Sequence, residues 1–498
     1  MAWGFDITGS FWKTLRIGAS LTAIAALASC QSFSDLGLDE ADLRPSSRPV
    51  TVDNVRSGRL ARIGAAQHPR ILASYGGEYQ NPKLERMVAG IVGRLVTVSD
   101  NPSQTYQVSI LNTPLVNAFA LPGGYLYVSR GLLALASDSD ELAAVIAHEM
   151  AHVTANHGIE RQRREEEAGL ANRVVTDVLS QSDRGRLALI RNQIDLARFS
   201  RIQELEADAI GIAAMGEAGF DPYAAADFQR KMAAYGALTA RSSGSGTLDF
   251  LSTHPSTPQR IELALGHARK FGSRETAPAR SKMTYLSGID GMLFGDAADE
   301  GFLRGQVYAH KTLGIRIEFP NGFEVENRPD AVLASRQRDG AAIRFDGVDL
   351  QAGTALSNYL ASGWVEGLDP TSIRTTTTNG LEAANARAAV GTWKFDITVF
   401  RVGSRAYRVL IAVPASGVNI DQLAEDVRSN FRTLSAQESA SLRPLRVRTV
   451  RANAGDTVLQ LSAAMEGIDS PSRFFRAING LGTTDSIEPS DTYKIVAQ

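Results

Sequence analysis

Residues 138–158 read DSDELAAVIAHEMAHVTANHG, and this stretch decides how the chain is read. Asp138 can cap a helix N-terminus, with Glu141 at the capping-box position three residues on. Leu142, Ala143, Val145 and Ile146 continue the helix, and Gly158 supplies a stop. The spacing predicts a helix of about five turns. Within it, His148-Glu149-Met150-Ala151-His152 is an HExxH motif. Four-residue spacing places His148 and His152 on one face, one above the other, where two imidazoles can hold a single zinc ion. Glu149, beside the first ligand, is placed to act as a general base on water.

Composition leaves few other ways to hold a metal. The 498 residues contain one cysteine and seven histidines, so disulfides within the chain and multi-cysteine zinc sites are excluded. At about 100–200 residues per domain, the length predicts two to four domains. With 52 basic and 54 acidic residues the net charge is −2, and no nucleic-acid partner is expected.

A catalytic zinc site needs a third protein ligand and an open position. The pattern HExxHxxGxxH would need Gly at 155 and His at 158, where the chain has Ala155 and Gly158. Glu165, Glu166 and Glu167 fall too early, in a charged run. The remaining candidate is Glu204-Leu205-Glu206-Ala207-Asp208, on a second helical pattern ending near Gly219. Glu204 and Glu206 lie about 200° apart around that helix, so both cannot face one metal. His157, about 140° from His152 on a continuing helix, is read as structural or as a neighbour of the ligands.

With these segments, Val116-Asn117-Ala118-Phe119-Ala120-Leu121-Pro122-Gly123-Gly124, Ala218-Gly219-Phe220-Asp221-Pro222, His254-Pro255 and Arg260-Ile261 follow a family order. Residues of roughly 70–270 resemble the zinc metallopeptidases of the CAAX-prenyl-protease superfamily, peptidase family forty-eight, and within it the bacterial periplasmic BepA-like group. The resemblance implies one zinc per chain, held by His148, His152 and Glu204. It makes Asp208 the partner that orients a ligand histidine, and Glu149 the general base. His254 matches a position that can cap the open zinc site or stabilise the oxyanion. Arg260 matches an arginine near the cleft, so either would offset negative charge on a tetrahedral intermediate. Asn117, Ala118 and Phe119 begin an edge hairpin that can pair with an extended substrate backbone.

Further from the motif, Lys13 and Arg16 precede an uncharged apolar run, Ile17–Ser29, too short to span a bilayer. It ends in Leu27-Ala28-Ser29-Cys30, which resembles the bacterial lipobox, so 1–29 is expected to be a lipoprotein signal peptide and Cys30 the lipidated residue. Gln31 in place of Asp implies the outer membrane, with the protein on the periplasmic face of the envelope. Residues 30–64 read as a tether, of which the roughly 30 residues of 31–60, at about 3.3–3.6 Å each, reach at most ~100 Å.

The peptidase domain is expected over 65–272 and a linker over 273–304, on the polar stretch Ser273–Lys282. Period-two alternation after Leu313 predicts an antiparallel α+β domain over 305–437, closed by a helix bearing Ile420, Leu423, Val427 and Phe431. Its His310 reads as surface. Residues 438–498 resemble a small β-α-α-β LysM module, which implies contact with peptidoglycan; Pro489-Ser490 stands where Pro-Gly is usual. The whole is a multidomain α+β chain, mainly helical in the peptidase domain. The expected activity is zinc-dependent endoproteolysis of unfolded or misassembled envelope proteins. Its rivals are a peptidoglycan cross-link endopeptidase and a non-proteolytic envelope chaperone or tether. An intact general base argues against the last, since a binder needs none.

Overall fold

The computed structural model describes residues 59–498 except 122, 180–182, 243–249, 251–252, 275–278, 352 and 469. The signal peptide, Cys30 and the tether up to residue 58 lie outside the described residues. Among the described residues, no helix is long and apolar enough to cross a membrane. Helix α1 (Arg59–Ser74) begins inside the expected tether, so residues 59–64 are helical rather than extended spacer.

Helix α2 (Pro82–Thr97) is capped by Asn81, whose side chain accepts from the backbone of Lys83 and Leu84. It buries Leu84, Val88, Ile91, Val92 and Leu95 along one stripe. Strands β1 (Gln107–Leu111), β2 (Ala118–Leu121) and β3 (Tyr125–Ser129) form a sheet in the order β1-β3-β2. The β2–β3 hairpin is therefore as expected, with β2 at the edge; Gly123 and Gly124 make the turn at φ 99° and 76°. Helix α3 (Arg130–Leu135) is buried throughout and leads into α4 (Ser139–Thr154), the helix of the HExxH motif.

Asp138 caps α4 as the sequence implies, accepting from Glu141 N–H. The stop differs. Asn156 takes a left-handed φ of 57° and breaks the helix, while Gly158 lies in the first turn of α5 (His157–Leu179). Asparagine tolerates that conformation well enough to end a helix without glycine. Helix α6 (Asp183–Glu217) returns along α4 and carries Glu204 and Asp208. Helices α7 (Ala224–Ser242) and α8 (Pro258–Ala268) close the bundle.

The segment expected as a linker holds α9 (Ala279–Ile289) and β4 (Leu293–Phe294). Tyr285, Leu286, Ile289 and Met292 are buried in the same core as α4, at helical spacing that the polar residues before them obscure. Beyond it come β5 (Phe302–Arg304), β6 (Val307–His310), β7 (Ile315–Glu318), β8 (Glu324–Asn327), β9 (Val332–Arg336) and β10 (Ala341–Asp349). They are followed by α10 (Leu356–Leu360), β11 (Leu368–Thr378), β12 (Leu381–Val390), β13 (Trp393–Val402), β14 (Arg405–Pro414), α11 (Ile420–Arg428) and β15 (Arg432–Thr433).

These strands make an antiparallel seven-stranded sheet, β11-β12-β13-β14-β10-β9-β8, and a four-stranded sheet, β15-β7-β6-β5. One core gathers Phe319, Phe345, Phe400 and Phe431 under α11, and a second lies around Leu356, Leu360, Phe395 and Ile397. His310 is not on the surface: it is 7% exposed, with Nε2 3.0 Å from the carbonyl of Asp299, because the 296–300 loop covers β6.

The chain ends with α12 (Ala436–Ser441), β16 (Leu445–Arg451), α13 (Val458–Ser462), α14 (Pro471–Ile478) and β17 (Thr492–Ala497), a β-α-α-β order after α12. Strand β16 pairs with β17 on one side and with β4 on the other. Leu445, Val447, Phe475 and Val496 belong to the core that holds α4. The α+β domain is thus inserted between β4 and β16, two neighbours in one sheet.

Candidate metal centre

Helix α4 presents His148 and His152 with their Nε2 atoms 3.1 Å apart. From α6, the Glu204 carboxylate lies 3.4 Å from each of these nitrogens. His254, on the segment before α8, brings Nδ1 to 3.2 Å from His148 Nε2 and 2.9 Å from Glu204 Oε2. Donor atoms of all four residues lie within 4.8 Å of one another. Imidazole nitrogens and a carboxylate converging without cysteine suit a divalent transition ion. The arrangement also leaves a group waiting for a partner: Glu149 is 3% exposed, and its Oε1 has no hydrogen bond, its nearest ionic neighbour being His254 Nε2 at 3.5 Å. A buried orphan acceptor beside four metal donors fits a site that takes an ion and a water.

Two further layers hold these donors. Asp208, one turn beyond Glu204, puts Oδ1 3.0 Å from His148 Nδ1. Arg260 grips Asp208 from Nε at 2.7 Å and Nη2 at 2.8 Å. Its Nη1 reaches Glu204 Oε2 at 3.0 Å and the carbonyl of Pro255 at 2.9 Å. The sequence assigned Arg260 to charge on a reaction intermediate; the structure occupies its guanidinium with Asp208 and Glu204. On the other side, His152 Nδ1 lies 2.9 Å from His157 Nδ1, and His157 Nε2 3.4 Å from Glu206. Glu206 therefore faces His157, away from the four donors, and Glu204 is the acid beside both histidines. Gln203 secures His157 by donating to its carbonyl at 3.0 Å.

Burial pushes the Glu149 carboxyl above its ordinary value, against the pull of His254 and His148. It drives His152 down to about 3, so the ring is neutral and its lone pair free for a metal. Burial would also raise Glu204 and Asp208. Hydrogen bonds from His148, His152 and His254 outweigh it at Glu204, and Arg260 outweighs it at Asp208, so both are held well below the carboxylate range.

Strand β2 runs beside α4. Asn117 is buried, its N–H donating to Ser129 Oγ at 2.9 Å and its side-chain amide to the Tyr75 hydroxyl at 3.2 Å. Ala118 faces the core, and Phe119 stacks on Tyr127 at 4.8 Å beside Tyr75. Two residues the sequence did not single out complete the surroundings. Phe250 joins the His254 segment to β2, donating its N–H to the Val116 carbonyl at 3.2 Å, and packs its ring 4.7 Å from His254. Gln229 donates to Asp208 at 3.3 Å. Both border a small, partly open cleft that Ala144, Val145, Ile212 and Phe228 also line. No local sequence signal marks either residue.

The model of Peptidase family M48 matches residues 79–268. The chain is 35% identical over 175 residues to the mitochondrial metalloendopeptidase OMA1 of Schizosaccharomyces pombe, covering 35% of this chain and 50% of that one. A putative beta-barrel assembly-enhancing protease of Vibrio cholerae is 29% identical over 269 residues, 50% of this chain and 53% of its own. The beta-barrel assembly-enhancing protease of Escherichia coli K12 is 25% identical over 400 residues, 72% and 80% respectively. The chain thus spans about half the length of the first two of these relatives.

Proposed function

We propose, from the premise that residues 79–268 are a peptidase family M48 domain, that the chain is a zinc-dependent endopeptidase of the bacterial envelope. Its substrates would be unfolded or misassembled envelope proteins. The observation that carries this reading is the meeting of His148, His152 and Glu204 beside the unpartnered carboxylate oxygen of Glu149.

His148, His152 and Glu204 would hold one zinc ion per chain, with His254 in reach as a fourth donor. When bound, such an ion polarises a carbonyl and lowers the pKa of a water. Glu149 takes the proton of the attacking water and returns it to the leaving amine nitrogen. His254, with Nε2 facing Glu149, is placed to stabilise negative charge on the attacked carbonyl oxygen. Asp208 fixes the tautomer of His148, and Arg260 is a positioning residue that holds Asp208 and Glu204. The outer edge of β2, at Ala118 and Phe119, accepts an extended substrate as an added strand, and Asn117, bonded to Ser129 and Tyr75, fixes where that edge begins.

Lipid on Cys30 would anchor the protein to the outer membrane from its periplasmic face, and the C-terminal β-α-α-β module would contact peptidoglycan. The test compares wild type with Glu149→Gln on β-casein and on purified sacculi, with metal content measured. Casein cleavage by wild type is expected to fall by about 10²–10⁴ in the variant while metal is retained. Cleavage of sacculi but not casein would transfer the activity to cross-link peptides. Equal casein cleavage by both forms would remove Glu149 from the mechanism.

A further inference from the structure

Helix α3 is six residues long and wholly buried; Ser129 caps its start locally, accepting from Leu132 N–H, while both its ends meet groups from far along the chain. At its start Arg130, 1% exposed, donates from Nη1 to the carbonyls of Leu293 at 2.9 Å and Gly295 at 3.1 Å. At its end Lys494, also 1% exposed, donates from Nζ to the carbonyls of Ala134, Leu135 and Ala136 at 2.8, 2.8 and 2.6 Å. Three carbonyl oxygens meet the three N–H positions of an ammonium, and they oppose burial, which pulls the group's pKa well below its ordinary value. It stands where the last carbonyls of a helix lack partners and collect negative charge. Residue 494 is itself gripped by Asn479, which donates to its carbonyl at 2.9 Å and accepts from its N–H at 2.8 Å.

Helix α3 is linked through backbone contacts to the His254 segment and through the chain to the start of α4. A Cβ on Gly131 would lie 2.2 Å from the Pro114 carbonyl oxygen and 2.4 Å from that of Leu115, so α3 presses directly on the 114–115 backbone. The next residue, Val116, accepts from Phe250 N–H, and the Phe250 carbonyl accepts from His254 N–H at 2.8 Å. Asn117 and β2 follow at once. In the other direction α3 ends three residues before Asp138, the cap of α4. Backbones in direct contact pass on a displacement rather than absorb it.

We propose that Lys494 is a positioning residue of the peptidase site. By closing the C-terminus of α3 it sets the backbone of residues 113–121, the His254 segment and the start of α4. The C-terminal module is then a working part of the peptidase, joined to it through one buried ammonium. The activity arm of the test rests on the endopeptidase reading; the exchange arm does not.

The test uses the full chain, metal-loaded, with Lys494→Met, which keeps a long stem and removes the three donors. Well below the melting temperature, metal content is expected to be unchanged. KM for an unfolded peptide rises, and kcat/KM falls by about 10–100-fold, as for small misplacements of a reacting geometry. Backbone amides of 113–121 and 254 exchange about tenfold faster. A role in stability alone would lower the melting temperature and leave KM, kcat and these amides within about twofold, which overturns the proposal. Should Lys494→Met not fold, Asn479→Ala loosens residue 494 while keeping its amine, and is read in the same way. If wild type cleaves no peptide, the endopeptidase reading fails, and the exchange result alone decides: unchanged amides at 113–121 overturn the role of Lys494.

Discussion

Replacing Arg260 by Met separates two roles for that arginine. The residue is 7% exposed, and its side chain holds Asp208 through two bonds of 2.7 and 2.8 Å while touching Glu204 at 3.0 Å. Methionine fills much of the space but leaves two buried carboxylates without their cation. Removing one partner of a buried ion pair costs about 3–5 kcal/mol. For a unit the size of the peptidase domain, about 2–4 °C per kcal/mol gives a fall of roughly 6–20 °C in melting temperature. The fall is expected to be larger in chelator-treated protein than in metal-loaded protein, because a dication at His148, His152 and Glu204 replaces part of the lost positive charge. Calorimetry or circular dichroism with and without zinc measures both. A free cation serving only a reaction intermediate would behave otherwise. If Arg260→Met melts within about 2 °C of wild type in both states and loses only kcat, the positioning role is refuted.

Three other substitutions probe the surroundings. Gly131→Ala should cost about 3 kcal/mol or more in urea unfolding, because backbone oxygens 2.2 and 2.4 Å from the new methyl leave it no room; wild-type stability would show that α3 does not press on the 114–115 backbone. His157→Phe removes the partner of His152 Nδ1 and should weaken metal binding by about 10–100-fold in competition with a chelator, without unfolding. Glu300 is raised to about 7 by burial, aided by Asp296 and Asp299. A carboxyl raised in the folded state contributes stability fully below its unfolded value of 4.5 and loses it as the pH rises through 7. Metal-free wild type should therefore lose more urea resistance between about pH 5 and pH 8 than Glu300→Gln does; equal losses would remove Glu300 from the pH dependence.

The parts of the centre that were legible in the sequence are those that local geometry governs. The capping residue Asp138, the i and i+4 histidines and the Gly-Gly turn after β2 each depend on a short window, and each takes the structure its window implies; Glu141 does not close the expected capping box, because its carboxylate accepts from Ser137 N–H and Lys231 instead. The angular argument that Glu204 and Glu206 cannot share a target also holds, since the two face His148 and His157 respectively. Buried charge was not legible. Lys231 pairs with Glu141 across 90 residues at 2.7 Å, and Lys494 meets backbone carbonyls, which have no residue identity for a motif to encode. In sequence, Lys494 is one polar position in a terminal strand. The polar run at 273–282 hid α9 for a related reason: its buried residues follow the charges, and the boundary signal was read first. Arg260 is intermediate, since its place near the cleft was anticipated but its occupation by two carboxylates depends on α6 and α8 meeting.

The order of the core along the chain has a consequence for biosynthesis. Helix α3 receives its closing ammonium from a residue 360 positions after Ala134, with the inserted α+β domain made in between. The nascent chain therefore carries its complete HExxH helix for most of its synthesis without the strand that seats it. Contacts this distant in sequence form late and slowly. A polypeptide still emerging, or arrested before residue 494, holds the reactive residues in an unfinished pocket. A peptidase is most dangerous to its surroundings while neighbouring chains are themselves being made, and on the role proposed for Lys494 competence to cut is deferred until that residue has been translated.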